Sequence, residues 1–138
     1  MYAADTRAPE HLRCRTLLER WPRQAGAWYL TWGICYEFLR VVTHPRVLRQ
    51  PWTGPAASEF LSALRGSPGL AMLTPTDRHA DVLAEVIDAV PIISGNLWHD
   101  AETAVLMREH GIRRICSRDT DFARFPFIDL IDPIVTEP

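Results

Sequence analysis

Gly95-Asn96-Leu97-Trp98-His99-Asp100-Ala101, followed about one helix and one strand later by Ser117-Arg118-Asp119-Thr120-Asp121-Phe122, is the part of the sequence that decides how the rest is read. Asn96 is a natural N-cap and Gly111 a natural C′ residue, and between them Leu97, Ala101, Ala104, Val105 and Arg108 follow helical spacing. Asp100 therefore falls in the first turn of a helix, on the face shared by Leu97, Ala104 and Met107, with its carboxylate at one end of an apolar stripe. Residues 112 to 116 read as a short strand, so Asp119 and Asp121 emerge just past a strand end. In open α/β sheets, ligands gather outside the carboxyl ends of strands.

Working outward, strands and helices alternate. Ala27 to Thr31 is a strand, and a helix follows from about Gly33 to Thr43 with a buried stripe of Ile34, Phe38 and Val41 bordered by Glu37. A loop with Pro51, Gly54 and Pro55 leads to a helix ending near Arg65, with Ala57, Phe60, Leu61 and Leu64 apolar and Gly66 as terminator. Leu70 to Leu73 is a strand. Thr76 is expected to cap a helix through about Ala89, with Ala80, Leu83, Val86 and Ile87 as its stripe. Ile128 to Ile131 is the last strand, and a helix from Pro9 to about Arg20 precedes all of these. The alternation predicts an α/β layer structure with a parallel sheet.

At 138 residues and 47% hydrophobic, the chain fits one domain with a real core. The net charge is −2 and the 15 basic residues are all Arg. A nucleic acid would therefore be held by local Arg side chains and bound metal, since the chain as a whole offers no strong phosphate-attracting field. Cys14, Cys35 and Cys116 are widely spaced, odd in number and set in apolar contexts, which points to reduced core residues of a cytosolic protein rather than a zinc or disulfide framework. There is no signal-peptide pattern, and no apolar run approaches the roughly 18 residues a membrane span needs, so a cytoplasmic location without membrane contact is expected.

Glu37, Asp100, Asp119 and Asp121 stand apart from ordinary surface acids because each sits in or beside an apolar segment near an element boundary. Clustered carboxylates need compensation, and hard divalent cations such as Mg²⁺ or Mn²⁺ take such oxygen ligands together with water and phosphate. Phosphodiester hydrolysis is the matching chemistry. Taken singly, each acid also has a structural reading: Asp119 and Asp121 as loop or N-cap residues before Phe122, the others as partners of the many Arg. His99 reads as a helix-surface residue, and Ser117 either caps the turn or hydrogen-bonds a metal-bound water. No Gly-rich phosphate loop, GxSxG, HExxH or CxxC is present.

Tyr36-Glu37-Phe38-Leu39-Arg40-Val41-Val42-Thr43-His44-Pro45-Arg46-Val47, the Gly95 to Ala101 stretch, and Ser117 to Phe125, in this order and at these separations, resemble the PIN-domain family, more narrowly the VapC-type toxin ribonucleases of bacterial VapBC toxin–antitoxin pairs. The likeness runs from Tyr2 to Pro133. It implies a PIN-like three-layer α/β/α sandwich with a central parallel sheet, a single domain over residues 1–138, and a Mg²⁺- or Mn²⁺-dependent endoribonuclease. It also implies an RNA substrate, neutralisation by a VapB-type antitoxin whose C-terminal segment fills the active-site groove, and a homodimer. Position by position, Glu37 matches the acid on the helix after the second strand, Asp100 the metal-ligating acid of the HDA motif, and Asp119 and Asp121 the late acidic pair.

One departure bears on activity. The family opens with an apolar strand ending in Asp, and this sequence starts, at Met1-Tyr2-Ala3, where that strand would be closing. Asp5 matches a later loop position and is a poor substitute. The expectation is that about seven or eight residues, one short strand and its entry, lie upstream of Met1. The alternative is a truncated, catalytically inactive relative that only binds an antitoxin.

Overall fold

Thr31 ends one element and starts the next. In the computed structural model, which describes residues 27–132, strand β1 (Trp28–Thr31) runs directly into helix α1 (Trp32–Val42). The Thr31 hydroxyl accepts a hydrogen bond from the Ile34 amide at 3.1 Å, satisfying one of the donors a helix start leaves unpaired. The helix expected from Pro9 to about Arg20, Cys14, Asp5 and the Met1-Tyr2-Ala3 start lie outside the described residues.

The chain divides into two compact units, Met1–Met72 and Leu73–Pro138. In the first, α2 (Gly54–Arg65) is entered through Thr53, whose hydroxyl accepts from the Ala56 amide at 3.2 Å, with Pro55 in its first turn. Strand β2 (Leu70–Leu73) pairs with β1. Val42, Leu48 and Ala57 are buried together, with Phe38, Leu39 and Trp52 against them. The rings of Phe38, Trp52 and Phe60 form a triangle with centroids 5.3, 5.5 and 5.8 Å apart.

The buried line on α1 passes through Cys35 and Val42, not through Ile34 and Val41. That offset of one residue is a rotation of roughly 100° about the helix axis, and it turns Glu37 outward. Expected to border the stripe, Glu37 has a side chain 60% exposed and bonded to Arg40, with Nη2 to Oε1 at 2.6 Å and Nε to Oε2 at 3.0 Å. The pairing holds the Arg40 guanidinium above its ordinary pKa, through the hydrogen bond first and the charge of Glu37 second.

The second unit comprises α3 (His79–Ala89), α4 (Leu97–Glu109), β3 (Arg114–Cys116), a 3₁₀ turn (Thr120–Arg124) and β4 (Asp129–Ile131). Its core joins Val82, Val86 and Val90 to Leu97, Ala101, Ala104 and Val105, and these to Phe122, Phe125 and Ile128. On α3 the buried line is Val82, Val86 and Val90, while Ala80 and Ile87 of the expected stripe face outward. On α4 every residue from Thr103 to Met107 is buried, so this helix is covered on more than one side and a single-stripe reading understates it. Its end is as expected. Gly111 sits at φ +69°, its amide reaches the Arg108 carbonyl at 3.2 Å and the Ile112 amide reaches that of Met107 at 2.8 Å, the two bonds of a Schellman motif.

β3 and β4 are parallel, with Arg114 opposite Asp129, Ile115 opposite Leu130 and Cys116 opposite Ile131. Among the described residues the strands thus form two two-stranded sheets, β1–β2 and β3–β4. Strand alternation turns Ile115 inward and Cys116 outward, correcting the expectation of a core Cys116. Cys35 is buried, and burial pushes its thiol pKa up against the opposing pull of Arg65. No helix among the described residues is long and apolar enough to cross a membrane.

Candidate metal centre

Asp100, Asp119 and Asp121 converge. One carboxylate oxygen from each lies within 4.8 Å of the other two. Two different pieces of backbone bring them there. Asp100 is in the first turn of α4, half-buried, at the helix end where the partial positive charge favours an anion. Asn96 holds the N-cap position of that helix, but with helical dihedrals and no capping bond from its side chain.

The other two acids ride on the turn between β3 and β4. The Ser117 amide donates to the Ile131 carbonyl at 3.0 Å, prolonging the parallel ladder by one step. The Ser117 hydroxyl then accepts from the Asp119 amide at 3.0 Å, and Asp119 Oδ1 accepts from the Asp121 amide at 2.9 Å, capping the 3₁₀ turn. Behind this turn, Phe122 and Phe125 are buried in the core and fix its depth. The capping reading of Asp119 holds, and it is compatible with the ligand reading. Capping uses one acceptor site of a carboxylate that has about four, so the same side chain can cap and ligate. Arg118, inside the turn, donates from Nε to Asp132 Oδ2 at 3.3 Å.

The donor set is all oxygen and fully anionic, which suits a hard divalent cation rather than zinc or copper. In octahedral coordination at about 2.1 Å, neighbouring ligand oxygens stand about 3 Å apart and opposite ones about 4.2 Å. A set already within 4.8 Å needs only small side-chain adjustments to reach such distances, so the residues fit a divalent ion.

Of the four acids singled out in the sequence, the structure joins three. Glu37 lies in the first unit, on α1. His99 is exposed on α4, the helix-surface placement expected of it. The Ser117 hydroxyl makes the turn-capping contact of its two readings, accepting from the Asp119 amide. The sequence offered no sign of a second polar cluster, in which Glu109 at the end of α4 accepts hydrogen bonds from Thr76 and His79. Those partners are 33 and 30 residues away, beyond any local pattern.

The PIN domain family matches residues 2–128 of the chain. Ribonuclease VapC48 of Mycobacterium tuberculosis is 35% identical over 133 residues, spanning 96% of this chain and 91% of that protein. Ribonuclease VapC33 of the same species is 30% identical over 97% of this chain and 92% of its own length. VapC ribonuclease Mb2897 of Mycobacterium bovis is 31% identical, with coverages of 91% and 84%.

Proposed function

This chain belongs to the PIN-domain family as a VapC-type protein, and on that premise we propose that it is the toxin of a toxin–antitoxin pair, a divalent-metal-dependent endoribonuclease neutralised by a VapB-type antitoxin. The observation that carries the reading is the convergence of three carboxylates, from the start of α4 and the β3–β4 turn, to within 4.8 Å. The curated relatives named ribonuclease support the substrate class. The same reading takes residues 1–138 as a single domain, since one family match runs through both units. It places the protein in the cytoplasm as a homodimer.

Asp100, Asp119 and Asp121 would hold the ion, Mg²⁺ or Mn²⁺. Glu37 joins the catalytic set through its motif match. When bound, such an ion orients and activates water for attack on the phosphodiester and offsets the charge that builds on the phosphate oxygens. The chain's own contribution is placement. The buried face of α4 fixes Asp100 from one side, and the Ser117 and Asp119 hydrogen bonds fix the late acidic pair from the other. Pre-set ligands avoid reorganisation at the moment of reaction.

The test is Asp100→Asn, which keeps the size of the side chain and removes the charge. Metal-dependent RNA cleavage should fall at least about a hundredfold, as the loss of several kcal/mol of charge stabilisation implies. Growth arrest on expression should disappear while circular dichroism stays unchanged. Full activity in that variant would overturn the proposal.

A further inference from the structure

Helix α1 turns an unusual surface to solvent. Trp32, Tyr36 and Arg40 follow one another at i, i+4 and i+8 along one line, with Gly33 and Glu37 beside it, and all five are exposed. Trp32 is 44% and Tyr36 69% exposed. The Arg65 guanidinium, from the end of α2, lies over the Trp32 ring with Cζ 4.7 Å from its centroid. Single exposed apolar residues are ordinary, but two large aromatic rings a turn apart, interleaved with arginines, form a patterned surface.

We infer that this face is a platform for single-stranded RNA, with Trp32 and Tyr36 stacking on bases and Arg40 and Arg65 contacting the phosphates between them. The inference rests on the ribonuclease reading and names the part of the substrate that the reading leaves open. Two features of this face suit a single strand of nucleic acid. Arg40 meets Glu37 through Nε and Nη2 only, and a guanidinium has five N–H donors, so the ion pair does not exhaust it. The two rings stand about 6 Å apart along the helix axis, nearly twice the about 3.4 Å step of stacked bases. They suit bases splayed from a single strand and not those of a duplex. Stacking of this kind tolerates any base, so the platform sets strandedness rather than sequence.

The experiment measures binding of a fluorescein-labelled single-stranded oligoribonucleotide, and of the same strand in a duplex, to the full chain carrying Asp100→Asn so that the RNA stays intact. Trp32→Ala and Tyr36→Ala should each weaken single-strand binding about tenfold. Trp32→Phe and Tyr36→Phe, which keep a ring, should restore most of it, and duplex binding should be weak throughout. In active chains the alanine variants should raise KM more than they lower kcat. If the parent chain binds the single strand and both alanine variants bind it equally well, the platform is refuted while the ribonuclease reading stands. If the active chain neither cleaves nor binds RNA, the underlying reading fails instead. Unchanged RNA binding with an altered oligomeric state by light scattering would make the face a protein interface and also overturn the inference.

Discussion

Each carboxylate in the Asp100, Asp119 and Asp121 group adds a repulsion that the metal-free chain must carry. At separations up to 4.8 Å, a pair of unit charges costs about 1 kcal/mol in water-like surroundings and about 3 kcal/mol at an effective dielectric of 20. Asp121 is the most informative of the three because its carboxylate has no capping role, whereas Asp119 holds the Asp121 amide. Asp121→Asn should therefore stabilise the metal-free protein by about 1 kcal/mol, a rise of about 3–5 °C in Tm. It should also shrink the Tm increase expected of the parent chain in Mn²⁺, since a ligand stabilises in proportion to ln(1 + [L]/Kd). Scanning calorimetry with and without Mn²⁺ reads both effects. A variant that melts lower without metal and keeps the full Mn²⁺ response would show Asp121 to be structural. At this scale the sequence was readable where an acid stood at an element boundary, as these three do. It misjudged only the exposure of Glu37, which depended on the rotation of α1 by one residue.

The end of α4 is held by a different carboxylate. The Glu109 side chain is 0% exposed and accepts from the Thr76 amide at 2.9 Å, the Thr76 hydroxyl at 2.7 Å and His79 Nδ1 at 2.6 Å. Burial alone would push its pKa up, but the Thr76 amide, His79 and the Thr76 hydroxyl outweigh it and hold the carboxyl below its ordinary value. A depressed folded pKa stabilises most where both states are ionised. The contribution is complete above the ordinary value of about 4.5, declines as the unfolded chain takes up its proton first, and is gone once the pH has fallen through the folded value. Glu109→Gln should cost about 2–3 kcal/mol at neutral pH through lost charged hydrogen bonds. The gap to the parent should close as urea unfolding is repeated toward pH 3, and a gap independent of pH would refute this account. The sequence placed Thr76 as a helix N-cap. In the structure α3 starts at His79; the Thr76 hydroxyl accepts from the Arg78 amide at its entry at 3.1 Å and also donates to Glu109, bracing α4 across the unit. Gly111, by contrast, was legible from position alone. Nothing lies within 4 Å of where a Cβ would stand, so Gly111→Ala should cost only the about 1 kcal/mol of a left-handed backbone.

Over the whole molecule, the order of strands and helices was legible because hydrophobic periodicity is local, and the Leu70–Leu73 strand agrees to the residue. What pattern could not supply was how far each helix is covered. α4 is enclosed over five consecutive residues, and only long-range packing decides that. Charge, however, is a property of the entire chain and permits a prediction. With a net charge of −2 and 15 arginines against 17 acids, the protein has no general attraction for phosphate, so RNA binding must rest on a few local arginines. For single strands, log K falls with log salt at about 0.7 per phosphate neutralised. Contacts from Arg40, Arg65 and one or two further arginines predict a slope of about −2 to −3. Replacing Arg40 and Arg65 together by Gln should make it shallower by about 1.4. A slope of −6 or steeper in the parent chain would mean that phosphates are gathered over a wide basic surface, which neither the composition nor the α1 platform provides.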